Sequence, residues 1–175
     1  STSHVYKFSQ KKINEKSKLK PSSLYGLTKL KAEKYIQKKL KKAKIPFCIG
    51  RIFSFTHKKQ TSDFVIPGII KKAKSNKKIV YFENTNHYRD FLSTSDICKA
   101  INILFKKRAN GIYNIGSGKK ILISHIIKLI FKKYKKNYRI NEKNKSTCLV
   151  ADINKIKKFK WKPKNNILSI INELT

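Results

Sequence analysis

Tyr25 and Lys29 lie four residues apart in the stretch Pro21-Ser22-Ser23-Leu24-Tyr25-Gly26-Leu27-Thr28-Lys29, and on an α-helix residues at that spacing share a face. A free phenol loses its proton near pH ~10, and an ammonium held beside it favours the phenolate and lowers that value. A tyrosine so placed can pass a proton to or from an alcohol or sugar oxygen near neutral pH. The spacing alone is not diagnostic. Only Arg51, Arg89, Arg108 and Arg139 are arginine among the 43 basic residues, so lysine is abundant everywhere and Tyr35 with Lys39 repeats the pattern. Context separates the pairs: Pro21 and the hydroxyls of Ser22 and Ser23 mark a helix start just before Tyr25, whereas Tyr35 falls mid-helix.

The elements that must position this pair can be read along the chain. Tyr25, Lys29, Ala32, Ile36, Leu40 and Ala43 continue one helical face, which predicts an apolar seam with the pair at one end. Residues 1–6 read as the end of a buried strand, and 7–20, polar and without period, as a loop. Ile45 to Phe55 is a nearly continuous apolar run, as in a buried parallel strand, and a long loop follows before a helix near Ile66 to Lys74. Val80 to Phe82 and His87 to Leu92 bracket Asn84-Thr85-Asn86 and predict a strand pair around a turn. Helices are expected at Ile97 to Lys107, at Ser124 to Tyr134 with Ser124 as cap, and at Ile167 to Leu174, with a short strand at Tyr138 to Ile140. Gly116-Ser117-Gly118 has the look of a dinucleotide fingerprint, but Ile121 stands where a third glycine should be, and a tight turn into the next helix is the better reading.

Ser-Thr-Ser-His-Val-Tyr at residues 1–6, the Tyr25 stretch with Ala32-Glu33, Arg89-Asp90-Phe91-Leu92-Ser93-Thr94-Ser95-Asp96-Ile97, Tyr113-Asn114-Ile115-Gly116-Ser117-Gly118 and Trp161-Lys162-Pro163 occur in this order. Together they resemble the extended short-chain dehydrogenase/reductases, the NAD(P)-dependent epimerase/dehydratase family acting on nucleotide sugars. The resemblance implies an α/β fold: the C-terminal part of a Rossmann-type doubly wound parallel sheet plus a smaller α+β substrate-binding domain. Residues 1–55, with interleaved segments near 79–115, would finish the cofactor domain, and 56–175 would mainly bind substrate. It further implies Thr2, Tyr25 and Lys29 as the catalytic set, with Tyr25, Lys29 and Phe53 against NAD or NADP. Thr2, Ser54 and Arg89 would contact the nucleotide sugar, Arg89 through its diphosphate, to which a guanidinium fork is suited. A salt bridge from Arg89 to Asp90 or Asp96 is the plainer alternative. Several positions depart from the family pattern: Lys7 replaces a glycine, Ser54 an asparagine, and Ser3-His4 the Asp-Glu pair of 4,6-dehydratases. Without that acid and base, epimerisation or 4-keto reduction is expected rather than loss of water. Thr56, Gln60, Asp63, Phe64 and Val65 lean towards the GDP-4-keto-6-deoxymannose reductases. The family also implies a homodimer, and a Gly-rich phosphate loop on the order of a hundred residues upstream of the first strand, so this polypeptide is expected to be a fragment that is inactive by itself.

A formal charge of +34 and a pI near 10.3 invite a nucleic-acid reading. Yet the excess is lysine spread over every segment, not arginine gathered with aromatics on one stripe, so a basic nucleic-acid-binding or non-catalytic protein is the second choice. Cys48, Cys98 and Cys148 match no ligand spacing, and His57, His87 and His125 form no cluster, so no metal is expected. No apolar run reaches the ~18 residues of a membrane span, which makes the cytoplasm the expected compartment.

Overall fold

The computed structural model describes residues 1–175. A short 3-10 turn at Ser3–Val5 follows Thr2, and after the loop the Ser23 hydroxyl accepts the Gly26 N–H at 3.2 Å. That cap satisfies one of the free donors that every helix start exposes, and α1 (Leu24–Lys42) runs from it. There follow β1 (Cys48–Ile52), β2 (Ser54–Thr56), α2 (Val65–Ala73), β3 (Ile79–Glu83), β4 (Tyr88–Arg89), β5 (Phe91–Ser93) and α3 (Thr94–Lys106). The rest comprises β6 (Gly111–Ile115), β7 (Ile121–Leu122), α4 (Ile123–Lys133), β8 (Asn137–Asn141), β9 (Cys148–Leu149), α5 (Asn154–Lys157) and α6 (Ile167–Leu174).

β1 and β6 pair in parallel from Cys48↔Gly111 to Ile52↔Ile115, and Thr2 bridges Ile52 in parallel on the other side. Parallel neighbours need long crossovers; α1 lies between Thr2 and β1 in the chain, and α3 between β1 and β6. The fold is therefore α/β, with the Rossmann-type alternation that the motifs imply. β2 continues the line of β1 and pairs in parallel with β5. One apolar core joins Val5, Leu30, Phe53, Leu92, Ile97, Tyr113, Ile115, Leu149 and Trp161. A second lies under α2 and α4, where Ile66, Ile70, Val80, Phe82, Ile126, Ile130 and Phe131 pack with Ile171 of α6.

Three expectations are corrected. The predicted strand pair around Asn84-Thr85-Asn86 does not form: β3 pairs in parallel with β8, while β4 lies between antiparallel β7 and parallel β9. The turn is instead held from across the sheet, where the Glu142 carboxylate accepts the Thr85 and Asn86 N–H groups at 2.9 and 3.2 Å. On α1 the buried positions are Gly26, Leu30 and Glu33, not the predicted seam: Tyr25 is 54% and Ile36 45% exposed. Ser124 does not cap α4, which starts after Leu122 without a side-chain cap, and the Ser124 N–H bonds the Thr85 carbonyl.

Candidate active site

Gly26 lets the start of α1 press onto the turn that follows Thr2. A Cβ on Gly26 would stand 2.4 Å from the His4 carbonyl oxygen, closer than any side-chain carbon is tolerated, so a glycine is what permits the approach. The Thr2 Oγ1 accepts the His4 N–H at 3.3 Å and fixes the turn from the other side. These contacts bring the rings of His4 and Tyr25 edge to face, centroids 5.9 Å apart. Lys29, one turn along, holds its Nζ 6.0 Å from the Tyr25 ring. Lys39 stands equally close to Tyr35, at 5.6 Å, so proximity of a lysine distinguishes neither tyrosine.

Position relative to a cavity does distinguish them. Tyr25 opens on a cleft of about 740 Å³ whose walls include Thr2, His4, Phe53, Ser54, Gln60, Phe64 and Arg89. Of the residues singled out in the sequence, Thr2, Tyr25, Phe53, Ser54 and Arg89 thus share one space, while Lys29 stands beside Tyr25 without lining it. Thr2 and Phe53 are buried and form the floor. Another depression, about 600 Å³, lies near Lys41, Lys44 and Lys155, away from Tyr25.

Arg89 is held by Thr147 and by its own neighbour. Its Nη1 donates to the Tyr88 carbonyl at 2.8 Å, and both terminal nitrogens donate to Thr147 Oγ1 at 3.1 Å. No carboxylate pairs with it: the two ion pairs of the chain join Arg51 to Glu33 and Lys143 to Glu83. The salt bridges considered for Arg89 are therefore absent. Asp96, in the first turn of α3 that Ser93 caps, instead accepts from the Ser93 hydroxyl and from the Lys164 and Asn165 N–H groups, bonds that hold its carboxyl below the usual range against the cost of burial. An arginine left without a counterion in a half-apolar cleft wall is a place for a ligand anion.

Asp90 accounts for the Gly-x-Gly turn. Its fully buried carboxylate accepts the Ser117 N–H at 2.6 Å, the Ser117 hydroxyl at 2.5 Å, the Gly118 N–H at 2.9 Å and the Ala151 N–H at 3.0 Å. Burial pushes the Asp90 carboxyl up, opposed by these donors. A Cβ on Gly116 would meet Asp90 Oδ2 at 2.7 Å, so the glycine is needed for the carboxylate to enter. The turn is an anion-binding nest filled by the chain's own anion, in agreement with a structural rather than a cofactor role.

A buried polar chain that the sequence did not disclose ties α1 to the sheet. Arg51, 1% exposed, gives Nε and Nη2 to the Glu33 carboxylate at 3.0 and 2.6 Å and Nη1 to the Tyr6 hydroxyl at 2.8 Å. The Tyr6 hydroxyl in turn donates to Asn114 Oδ1 at 2.7 Å. Burial pushes the Tyr6 phenol up to about 12, against the pull of Arg51, so it stays a neutral donor. Glu33 follows Tyr25 and Lys29 at the same four-residue spacing, so the brace sets the rotation of the helix that presents them. The available signal was a charged residue inside the apolar run 47–53 and a carboxylate on the helix that faces it.

His4 and His87 both titrate below the usual imidazole range, first because burial disfavours the cation and next because Arg89 is near. No three His, Cys, Asp or Glu side chains gather as a metal site would need, and no helix is long and apolar enough to cross a membrane.

Parallel strands joined through helical crossovers define a Rossmann-type α/β fold, and the first of those helices opens Tyr25 on a cleft that also holds a counterion-free arginine. Comparison with known proteins agrees. The family profile described as GDP-mannose 4,6-dehydratase matches residues 1–174, and the chain belongs to that family, within the extended nucleotide-sugar short-chain dehydrogenases/reductases. An uncharacterised UDP-glucose epimerase of Bacillus subtilis is 33% identical over 132 residues, 74% of this chain and 42% of the relative. The UDP-glucuronic acid 4-epimerase of Bacillus cereus, solved with UDP-glucuronic acid and NAD, superposes with a TM-score of 0.85 at 25% identity over 99% of this chain and 59% of that one. RMD of Pseudomonas aeruginosa, solved with NADPH, shares the fold with a TM-score of 0.90 at 19% identity, over 99% and 63%. The chain thus spans about half the length of the relatives it matches.

Proposed function

We propose that this chain forms the substrate-facing part of an NAD(P)-dependent nucleotide-sugar epimerase or 4-ketoreductase. In this reading residues 1–55, with segments near 79–115, complete the cofactor domain, and 56–175 mainly hold the substrate. The convergence of Thr2, Tyr25 and Arg89 on one cleft is the observation that supports it. Tyr25 passes the proton of the reacting sugar hydroxyl, and the neighbouring ammonium of Lys29 favours the phenolate this requires. Thr2, its hydroxyl on the cleft floor, orients the same sugar oxygen, and Arg89 takes the diphosphate with the donors that Thr147 leaves free.

The cleft suits the nicotinamide end of NAD or NADP, because Phe53 offers an apolar floor beside Tyr25, and Lys29 would hold the ribose. When bound, the dinucleotide accepts or returns the hydride. Its phosphates find no loop among the residues of this chain, since Gly116 to Gly118 already enclose Asp90. Ser3 and His4 in place of an acid pair favour epimerisation or keto reduction over dehydration, and Thr56, Gln60, Asp63, Phe64 and Val65 favour a reductase. Leu24, Leu27 and Tyr35, 76%, 42% and 63% exposed on α1, support a homodimer through that helix.

The test is turnover of UDP-, dTDP- and GDP-sugars with NAD(P) by the chain joined to the cofactor-binding half of a relative, and by its Tyr25→Phe variant, with epimerisation followed by chromatography of the sugar nucleotide, keto reduction by nicotinamide absorbance, and ligand binding by calorimetry. Loss of the phenol should lower turnover about 10²- to 10⁴-fold and leave nucleotide-sugar affinity nearly unchanged. A Tyr25→Phe variant as active as the parent would refute the role of Tyr25, and failure of every nucleotide sugar to bind would refute the substrate class.

A further inference from the structure

The end of the molecule opposite the cleft gathers positive charge around exposed apolar side chains. α1 and α3 are the crossovers that lead into the parallel strands β1 and β6, so both helices finish where those strands begin, whereas the cleft opens past the other end of β1, at Phe53 and Ser54. Each helix stops in the same way. The backbones of Lys44 and Arg108 turn left-handed, at φ 55° and 47°, and the N–H groups that follow close back on the helix, Ile45 to the Leu40 carbonyl and Ala109 to that of Leu104, both at 2.9 Å. The two tips are tied together: the Phe47 N–H donates to Asn110 Oδ1 at 3.4 Å, and the Gly111 N–H to the Phe47 carbonyl at 2.7 Å.

These tips display Phe105, at 81% the most exposed large apolar side chain of the chain, and Ile45, at 52%. Residues 34–47 and 99–111, which form them, hold ten basic residues and no acidic one. The depression of about 600 Å³ at this end is lined by Lys41, Lys44 and Asn110, and its one carboxylate, Glu15, is occupied by the Asn114 N–H at 2.8 Å. Apolar side chains ringed by lysines suit the boundary of a lipid bilayer, where rings and alkyl stems sink among the headgroups while the ammonium groups meet lipid phosphates. Nucleic acid fits less well, because a single arginine and isolated rings give neither forks for base edges nor a stacking platform. We propose that this pole is a docking surface for an anionic membrane, entered by Phe105 and Ile45 and held by the lysines at the ends of α1 and α3. It is a contact with the surface and not a span, since no helix is long and apolar enough to cross, and it leaves the cleft facing solution.

Co-sedimentation of the chain with vesicles of equal parts phosphatidylcholine and phosphatidylserine, beside phosphatidylcholine alone, tests this at about 0.1 M salt. The chain should bind the anionic vesicles and leave the neutral ones. Phe105→Ser, at a position exposed in the free chain, should lower partitioning about 10-fold, and Lys106→Gln/Lys107→Gln roughly 5-fold for each charge removed. Lys128→Gln/Lys132→Gln takes the same charge from α4 and should change partitioning by no more than about 2-fold, because charges beyond a Debye length are screened. Equal losses for the two lysine pairs would mean attraction of the whole charged chain and overturn the docking surface. So would a Phe105→Ser variant that binds like the parent, or an absence of binding to the anionic vesicles. Binding of single-stranded RNA or an acidic protein that these variants lose, with no binding to vesicles, assigns the pole to another polyanion and overturns the membrane. None of these outcomes bears on the cleft as a nucleotide-sugar site.

Discussion

Breaking the pair between Glu33 and Arg51 should be among the most damaging single changes open to this chain. Glu33 is 3% and Arg51 1% exposed, and their contacts at 3.0, 3.2 and 2.6 Å are bidentate. Replacing Glu33 with Leu leaves a guanidinium buried with only the Tyr6 hydroxyl and a distant Glu15 carbonyl, at 2.8 and 3.4 Å. Removing one member of such a pair costs about 3–5 kcal/mol, far above the ~0–1 kcal/mol of an exposed pair such as Lys143 with Glu83. At roughly 2–4 °C per kcal/mol for a domain of this size, the melting temperature should fall by about 6–20 °C. Arg51→Met should cost a similar amount by stranding the carboxylate. The double variant Glu33→Leu/Arg51→Met, which strands no charge, should recover most of the loss, because an apolar replacement of a buried pair is often neutral or stabilising by ~1–4 kcal/mol. Urea unfolding of the four proteins at pH 7 gives the coupling energy directly. Single losses below about 1 kcal/mol, or a double variant whose loss is the sum of the two, would refute the view that the burial of this pair, and not its mere presence, sets its weight.

The remaining predictions are shorter. Gly26→Ala should lift α1 from the His4 carbonyl, at an overpacking cost of about 1–3 kcal/mol, and should also weaken nucleotide-sugar binding; calorimetry on a variant that keeps its helical spectrum checks the second effect. His4 and His87 have folded pKa values below the ~6.5 of an unfolded histidine, so the unfolded chain binds more protons as the solution is acidified. Their contribution is present above pH ~6.5 and is lost as the pH falls through the folded values. The melting temperature should therefore drop between about pH 7 and 5, and His87→Gln should flatten part of that drop; an unchanged slope would contradict the shift assigned to His87.

The local parts of the fold were legible in the sequence and the long-range parts were not. α6 was expected at 167–174, after the Trp161-Lys162-Pro163 turn, and the structure adds a reciprocal cap between Asn166 and Ser169 that the sequence reading did not use. The helix at Tyr25 was legible from its Pro-Ser-Ser start. Its buried face was misread because tyrosine and isoleucine count as apolar in a periodic pattern, whereas the sheet takes a glycine, a leucine and a glutamate. The partners of β3 and β4 could not be read, since residues 79–83 pair with 137–141 and nothing local encodes so distant a match. The cleft residues were reached through the motifs that resemble a family and not through composition. Arg51 was passed over because a charge within an apolar run has meaning only once its buried partner is known.

The turn at Gly116 to Gly118 closes around Asp90 with three backbone amides, counting that of Ala151, and one hydroxyl. A nest stoppered by a covalently attached acid cannot exchange its guest for phosphate at any buffer concentration. Competition by inorganic phosphate or pyrophosphate should therefore report on the arginine side of the cleft alone, and Arg89→Gln should abolish it.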